Sequence, residues 1–277
     1  MPVYFTSLNS GSNGNCYYIG NETEAVLIDA GISCRETEKR MRKLGLSMDI
    51  VKAIFISHEH TDHIKGADGI AKKYAIPVYI TAGTLHRCDK IIPQQHTVPF
   101  ITNAPVQIGE LRVTGFPKHH DAGDPHSFVI ECSEIRVGVF TDIGKPCDHV
   151  TRHFGRCHAA FLEANYDEDM LENGSYPIYL KNRIRGGNGH LSNRQALDLF
   201  VKYRPDYMTH VLLSHLSKEN NHPGTVQQMF EAVATGTSVI IASRYEETAL
   251  YSIQPAVKKI NYKKTASIRM MQLSLFE

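Results

Sequence analysis

Four potential metal ligands lie within six consecutive residues of this chain. His58, His60, Asp62 and His63 occur in the stretch His-Glu-His-Thr-Asp-His. Imidazole and carboxylate groups at this density suit Zn²⁺, Mn²⁺ or Fe²⁺. A loop that leaves a strand can direct His58 and His60 to one ion and Asp62 and His63 to a second. The stretch therefore predicts a hydrolase that uses two divalent metal ions (Zn, Mn or Fe) to activate water.

The same stretch resembles the metal-binding motif of the metallo-β-lactamase superfamily. The resemblance implies an α+β fold, a four-layer αββα sandwich with the metals at one edge between its two sheets. It also implies that His120 completes the first metal site, His215 completes the second and Asp142 bridges both. Asp29 would orient a ligand histidine. His119 precedes His120, but neighbours in an extended segment point to opposite faces, so only His120 is expected to bind.

The expected active-site residues fall into two groups. The expected metal ligands are His58, His60, Asp62, His63, His120, Asp142 and His215. The expected catalytic residues are Asp62, Asp142 and His190. His190 precedes an expected helix start at Ser192, where free N–H groups favour phosphate. It is expected to bind the phosphate or to protonate the leaving oxygen, and a purely structural histidine is the alternative.

Three stretches narrow the substrate: residues 7–16, 189–193 and 214–221. Together they resemble the YycJ/WalJ branch of the superfamily, whose members are described as DNA exonucleases acting on 5′ ends. The resemblance implies a metal-dependent phosphodiester hydrolase, a 5′ to 3′ DNA exonuclease linked to DNA repair or replication. Three alternatives stay open: a phosphodiesterase for small or cyclic phosphodiesters, a thioester or β-lactam hydrolase, and a clamp-bound scaffold with little catalysis.

Several polar residues outside the ligand set keep two interpretations each. Ser10, Ser12 and Asn13 belong either to an anion-tolerant turn or to an ordinary hairpin loop. Lys218 either binds the DNA backbone or is a surface charge. His126 and His222 are expected at the surface or behind the ligands. Glu163, Asn165 and Asp167 are placed near the site without a role.

The ligands require strands that end at one edge of a sheet. Apolar runs predict strands at residues 3–8, 16–19, 25–28, 51–57, 78–81, 111–116, 127–132, 135–140, 159–163, 207–214 and 238–242. Apolar periodicity and caps predict helices at residues 33–44, 64–74, 192–203 and 225–233. Ser33 and Ser192 are the expected N-caps. Strand-rich halves with interspersed helices indicate stacked sheets with helices outside.

Length and composition favour one large domain. The chain has 277 residues, 42% of them hydrophobic, and a formal net charge of +1. We expect a hydrolase domain at residues 1–254 and a basic tail at residues 255–277. The six cysteines lack Cys-x-x-Cys spacing and are expected to be reduced. Without a signal-like start or a long apolar segment, we expect a cytoplasmic protein that does not enter a membrane.

The tail carries a second resemblance. Its last residues resemble the short peptide by which bacterial repair and replication proteins dock on the DNA polymerase sliding clamp. The residues concerned are Gln272, Leu273, Ser274, Leu275 and Phe276. Apolar residues on a basic tail indicate a partner, and a tail that folds back on its own domain is the alternative. The expected partners are therefore DNA and a sliding clamp.

Overall fold

A computed structural model describes residues 1–255 of the chain. Its strands are β1 (Val3–Asn9), β2 (Cys16–Gly20), β3 (Ala25–Ile28), β4 (Val51–Phe55), β5 (Val78–Ile80), β6 (Thr97–Pro99), β7 (Pro105–Ile108), β8 (Leu111–Pro117), β9 (His126–Cys132), β10 (Ile135–Phe140), β11 (Ala159–Glu163), β12 (His210–Ser214), β13 (Ser238–Ile241) and β14 (Tyr251–Ile253). Its helices are α1 (Cys34–Lys43), α2 (Thr61–Ile64), α3 (Ala67–Tyr74), α4 (Ala82–Cys88), α5 (Asp148–Phe154), α6 (Glu168–Asn173), α7 (Ile178–Arg185), α8 (Asn193–Tyr203) and α9 (Pro223–Glu231). The 3₁₀ turns are Met48–Ile50 and Gln94–His96.

The strands form two seven-stranded sheets of similar design. The first has the order β14-β1-β2-β3-β4-β5-β6, and the second has the order β13-β12-β11-β10-β9-β8-β7. Each sheet combines an antiparallel half with a parallel half, which runs from β3 to β6 in the first and from β10 to β13 in the second. The carboxyl ends of the parallel strands are where several site residues emerge.

Three apolar clusters hold the layers together. One lies between the sheets and includes Phe5, Phe55, Phe128 and Phe161. A second packs α1 and α3 on the outer face of the first sheet. A third packs α5, α8 and α9 on the outer face of the second. The result is the four-layer αββα sandwich expected from the sequence.

The structure corrects several of the sequence-based elements. The helix expected at residues 64–74 is interrupted, because Gly66 donates its N–H to Ala30 O at 2.7 Å and a Cβ there would lie 1.9 Å from Ile32 O. Strand β14 follows the strand expected to be the last and pairs with β1. The short strands β6 and β7 and the helices α4, α5, α6 and α7 were not expected.

Within residues 1–255, no helix has the length and apolar character needed to cross a membrane. The expected clamp-binding residues, Gln272 to Phe276, lie outside the described residues, as does all but the first residue of the expected tail. The boundary between domain and tail therefore stays a prediction.

Candidate metal centre

The site lies where strands of both sheets end. Asp29 directly follows β3, Asp142 comes two residues after β10, and His215 directly follows β12. All three adopt left-handed backbone conformations, with φ of 60°, 55° and 57°. Such φ values are uncommon outside glycine and are most readily reached by Asn, Asp and His. The strand ends therefore turn sharply at these residues, as backbones often do at functional sites.

Three imidazoles form the first ligand group. Nε2 of His58 lies 3.0 Å from Nδ1 of His60, which lies 3.4 Å from Nε2 of His120. The other ring nitrogen of His120 donates to Gly189 O at 3.0 Å, which leaves its Nε2 lone pair facing its neighbours. A tetrahedral ion with bonds of about 2.0–2.1 Å would separate its nitrogen ligands by about 3.3 Å. The spacing of this group therefore fits one divalent ion.

Two histidines and two aspartates form the second group. Oδ2 of Asp62 lies 3.5 Å from Nε2 of His63 and 3.5 Å from Nε2 of His215. Asp142 approaches His63 at 3.3 Å and His215 at 3.5 Å. Its Oδ1 is also 3.9 Å from Nε2 of His120, so Asp142 reaches toward both groups. The structure thus brings all seven expected ligands together, and their coordination of metal stays a prediction.

Two buried polar atoms without a hydrogen bond test independently whether the site suits metal ions. Oδ2 of Asp142 and Nε2 of His215 are buried and make no hydrogen bond within the described residues. Their 3.3–3.5 Å approaches to neighbouring ligand atoms lack hydrogen-bond geometry. A buried unsatisfied polar atom is costly. Because both belong to the proposed ligand set, bound cations would satisfy them, and the donor set fits two divalent metal ions.

Asp29 and Ser57 orient the ligand histidines. Asp29 Oδ2 accepts a hydrogen bond from Nδ1 of His63 at 2.7 Å, the contact that the sequence resemblance implied. Its carboxylate also accepts from the N–H and the hydroxyl of Ser57 at 2.8 and 2.9 Å. The Ser57 oxygen then accepts from Nδ1 of His58 at 2.9 Å. Both imidazoles are therefore held with Nε2 directed toward the other expected ligands.

Glu163 is a site residue for which the sequence analysis indicated no role. Its buried carboxylate accepts from Nδ1 of His190 at 2.7 Å and lies 3.4 Å from Nδ1 of His215. It also accepts the N–H groups of Ile143 and Leu191. Burial opposes ionisation, but the neighbouring His190 and His215 lower the pKa of Glu163 to about 2. Its position at the end of a buried strand, like those of Asp29 and His215, is the signal that could have identified it.

Burial and charge set the protonation of the first group. Burial lowers the pKa of His58 well below its usual value, and that of His120 falls to about 3 mainly for the same reason. Burial also lowers the pKa of His60. At neutral pH these three rings are neutral, which is the form that binds metal.

The second group has the opposite balance. Burial alone acts against a charge on His63, yet the Asp142 and Asp29 carboxylates raise its pKa well above its usual value. The same competition raises the pKa of His215 to about 10. Despite its burial, the pKa of Asp142 is held well below its usual range by His215 and His63. The carboxylates of the second group therefore favour positive charge in their surroundings.

Lys118 adds a buried cation behind the ligands. It is 6% exposed, and its Nζ donates to Thr141 O at 2.7 Å, directly before Asp142. Burial lowers its pKa, while the Asp142 and Asp29 carboxylates oppose that change. Lys118 therefore fixes the backbone at the turn that carries Asp142.

The start of α8 is not the open phosphate site that the sequence indicated. Ser192 caps the helix as expected, but Gln195 returns the contact in a full capping box. The N–H groups of Leu191 and Asn193 donate to Glu163 and to Tyr166 O. Because these donors are occupied, the backbone at this helix start does not offer them to an anion.

The glycine-containing loop of residues 10–15 mainly contacts the candidate ligands through hydrogen bonds. Ser10 is buried, and its hydroxyl accepts the N–H of His215 at 2.8 Å. Nδ2 of Asn15 lies 3.1 Å from Oδ2 of Asp62 and 3.1 Å from Nε2 of His63. Ser12 is the member of this loop that lines the cavity above the ligands.

Asn193 and Asn221, which belong to two of the stretches that narrowed the substrate, form a buried amide pair. Each side chain donates its Nδ2 to the other's Oδ1, at 3.0 and 2.8 Å. Asn221 also donates to the carbonyls of Ala164 and Asn165. Nδ2 of Asn165 in turn lies 2.8 Å from the His215 carbonyl. These amides tie α8, the end of β11 and the His215 loop together.

A cavity of about 440 Å³, hereafter the metal cavity, opens above the ligands. His190 lines it with 18% of its side chain exposed, and because its Nδ1 donates to Glu163, its Nε2 is left for a ligand. Arg183 of α7 also lines it and pairs with Asp121. The metal cavity is thus walled by carboxylates, imidazoles and the guanidinium of Arg183.

Three further histidines considered in the sequence analysis divide between surface and interior. His119 is exposed, whereas His120 lies buried in the first ligand group. His222 is exposed. His126 is buried and bonds to Thr102 Oγ1 at 2.8 Å, and it belongs to none of the ligand groups found among residues 1–255.

Comparison with known proteins agrees with this geometry. A family model described as a beta-lactamase superfamily domain matches residues 24–215. The chain is 33% identical over 224 residues to exodeoxyribonuclease YycJ of Bacillus anthracis, covering 80% of this chain and 85% of that protein. It is 29% identical over 239 residues to exodeoxyribonuclease WalJ of Streptococcus pneumoniae, covering 82% and 88%.

A solved structure shows the same fold at lower sequence similarity. The metallo-beta-lactamase fold protein YhfI from Bacillus subtilis superposes with a TM-score of 0.70 at 17% identity, over 91% of this chain and all of that one. The family model spans most of the chain, and the buried His and Asp clusters are those of a dinuclear hydrolase of this fold. The chain therefore belongs to the metallo-β-lactamase superfamily.

Proposed function

We propose that this metallohydrolase is a 5′ to 3′ DNA exonuclease linked to DNA repair or replication. The observation that carries the proposal is the metal cavity, in which His190 and Arg183 face two ligand groups and Asp142 reaches toward both. Cationic and imidazole donors beside paired metal sites suit a phosphodiester. The two relatives are named exodeoxyribonucleases, which supports DNA as the source of this phosphodiester.

The chain's own residues would divide the work of hydrolysis. Two bound divalent ions would supply Lewis-acid activation of water and of the phosphate oxygens. Asp62 and Asp142 would help to hold the ions, and Asp142, which reaches toward both ligand groups, would align the two sites. Because the Nδ1–H of His190 donates to Glu163, its Nε2 faces the cavity. The doubly protonated ring would donate from Nε2 to the phosphate or protonate the leaving oxygen. Arg183 would neutralise the phosphate.

A nuclease assay on 5′- and 3′-labelled linear DNA, with Zn²⁺, Mn²⁺ and Fe²⁺ supplied in turn, tests the proposal. We expect metal-dependent release of nucleotides from the 5′ end, and none after Asp142→Ala. Release from the 3′ end would contradict the polarity. No release from DNA together with good turnover of small or cyclic diesters would favour the alternative phosphodiesterase and end the exonuclease proposal.

We also propose that Gln272 to Phe276 dock on a bacterial sliding clamp, with Leu273, Leu275 and Phe276 filling an apolar pocket. Deletion of residues 272–277 should abolish clamp binding and spare hydrolysis of free DNA. Asp142→Ala should abolish hydrolysis and leave clamp binding intact. Unchanged clamp affinity after the deletion would refute the docking proposal, and clamp binding without any wild-type hydrolysis would indicate a scaffold.

A further inference from the structure

A second cavity, of about 380 Å³, adjoins the metal centre and is not used by the mechanism above. Its walls come from residues 216–223, which follow His215, and from residues 241–246 around the end of β13. Ser10 lines it too, and the Ser10 hydroxyl accepts the backbone N–H of His215. The second cavity therefore starts next to a candidate metal ligand.

Arg244 stands between the two cavities. It lines the second cavity, and its Nη2 donates at 3.1 Å to the hydroxyl of Ser12, which lines the metal cavity. Its Nη1 is buried and makes no hydrogen bond to any described residue. An unsatisfied buried donor is unfavourable. The guanidinium thus retains a donor that an anionic oxygen would satisfy.

The backbone that carries Arg244 is held at three consecutive carbonyls. Ser243 O accepts from Ser10 N at 3.1 Å, and Arg244 O accepts from Asn13 Nδ2 at 2.8 Å. Tyr245 O accepts from Nη2 of Arg40 at 3.0 Å, and Arg40 is itself buried. The Arg244 and Tyr245 side chains therefore project from a fixed segment, which lowers the entropy cost of binding.

Tyr245 presents an aromatic face beside this cation. Its residue is 70% exposed even though its backbone is fixed. Lys218, with a 62% exposed side chain, lines the same cavity, as does the carboxylate residue Glu246. Lys218 also pairs with Glu219 at 3.5 Å, so two cations and two carboxylates surround an exposed ring. Stacking rings combined with cationic side chains are what single-stranded nucleic acid binders use.

We propose that the second cavity is a subsite for one unpaired nucleotide of the DNA strand, next to the phosphodiester held in the metal cavity. Arg244 binds the phosphate between the two cavities, Tyr245 stacks on the base, and Lys218 binds the following phosphate. This assignment rests on the proposed function, since it takes DNA as the substrate. In this assignment the loop containing Lys218 binds a phosphate. The hydrogen bonds from residues 10–13 to residues 243–244 hold Arg244 in place.

Binding is measured with the metal-loaded full chain and a fluorescent single-stranded phosphorothioate oligodeoxynucleotide, which resists hydrolysis. We expect Tyr245→Ala to weaken binding roughly tenfold, and Tyr245→Phe to stay within about twofold of wild type, because stacking needs the ring and not the hydroxyl. For Arg244→Gln we expect weaker binding and a salt dependence shallower by about 0.7 in logarithmic slope, the loss of one phosphate contact.

Matched controls come from the opposite end of the second sheet. Tyr207 is a half-exposed tyrosine before β12, and Arg156 is an exposed arginine before β11. Tyr207→Ala and Arg156→Gln should leave both affinity and salt slope unchanged. Metal content, measured for every variant, verifies that each one retains its metal centre.

The subsite and the proposed function fail in different ways. Wild-type affinity in Tyr245→Ala and Arg244→Gln, or no binding by the wild type, overturns the subsite whatever the hydrolysis assay shows. No wild-type hydrolysis of natural DNA overturns the exonuclease proposal, while the binding series still decides the subsite. The subsite is also overturned if Tyr207→Ala and Arg156→Gln weaken oligodeoxynucleotide binding as much as Tyr245→Ala and Arg244→Gln do.

Discussion

At the scale of single residues, Glu163 controls two histidines of the centre at once. Its carboxylate accepts from His190 and lies close to Nδ1 of His215. An amide at this position has one oxygen and no charge, so Glu163→Gln should misorient the two rings. We expect activity to fall about 10- to 100-fold, as is typical when a partner of a metal-bound histidine is lost. Steady-state hydrolysis and metal content of the variant measure this effect.

The matched control for Glu163 is Glu231→Gln, an exposed carboxylate at the end of α9. It should leave the rate and the metal content unchanged. A Glu163→Gln enzyme with the wild-type rate would show that His190 and His215 need no anionic partner.

Lys118 gives a prediction about stability. Lys118→Met retains much of the side-chain volume, but it leaves the Thr141 carbonyl without its donor and the nearby carboxylates without a buried cation. We expect the free energy of unfolding to fall by about 2 kcal/mol. Urea unfolding of the metal-free chain measures it. The exposed Lys52→Met is the control, and a Lys118 effect within about 0.5 kcal/mol, as at an ordinary surface position, would contradict the prediction.

The grouping of the seven expected ligands was predictable because their residue types cluster rarely and in a recognisable order. Glu163, Ser57 and Lys118 were not, because a lone carboxylate, hydroxyl or lysine is common in any chain. Their roles depend on strand ends that meet only in the folded protein, where Ser57 joins Asp29 to His58.

At the scale of elements, α1 is joined to α3 through Glu38. Its carboxylate accepts from Lys73 Nζ and from Tyr74 Oη, the latter at 2.7 Å. The Lys73 and Tyr74 hydrogen bonds lower the pKa of Glu38 to about 2. A depressed folded-state pKa means that this stabilisation is complete above the unfolded value, about 4.3, and is lost as the pH falls toward 2.

Glu38→Gln should therefore lower the free energy of unfolding at neutral pH by about 1 kcal/mol, a value that allows for solvent screening of the pair. The difference from wild type should shrink as the pH falls below about 4.3. Urea unfolding at a series of pH values tests both statements. Glu22→Gln, in the exposed turn before β3, is the control. A difference that does not change with pH would contradict the assignment to the ionised carboxylate.

Elements with caps or long apolar runs were predictable, and short ones were not. Ser33 and Ser192 cap α1 and α8 as expected, and β3, β10 and β11 have their expected bounds. Strand β14 has three residues and is defined by its pairing with β1, which no local pattern shows. The break between α2 and α3 depends on the close approach of Gly66 to Ile32, a tertiary contact. Local periodicity cannot detect such contacts.

At the scale of the whole molecule, the two sheets share one site. His58 and His63 follow β4 of the first sheet, whereas Asp142 and His215 follow β10 and β12 of the second. Ions held by both groups would connect the halves of the sandwich. Metal that binds the folded chain and not the unfolded one stabilises the fold by mass action.

Chelation should therefore lower the melting temperature. A free ion concentration about a hundredfold above Kd stabilises by about 2.7 kcal/mol, so removing the metal from a domain of this size should lower Tm by about 5 to 10 °C. Thermal unfolding with EDTA, and after return of Zn²⁺ or Mn²⁺, measures the shift. Asp142→Ala should reduce the shift because it removes the carboxylate that reaches both ligand groups. Equal Tm values with and without chelator would mean that metal does not join the sheets.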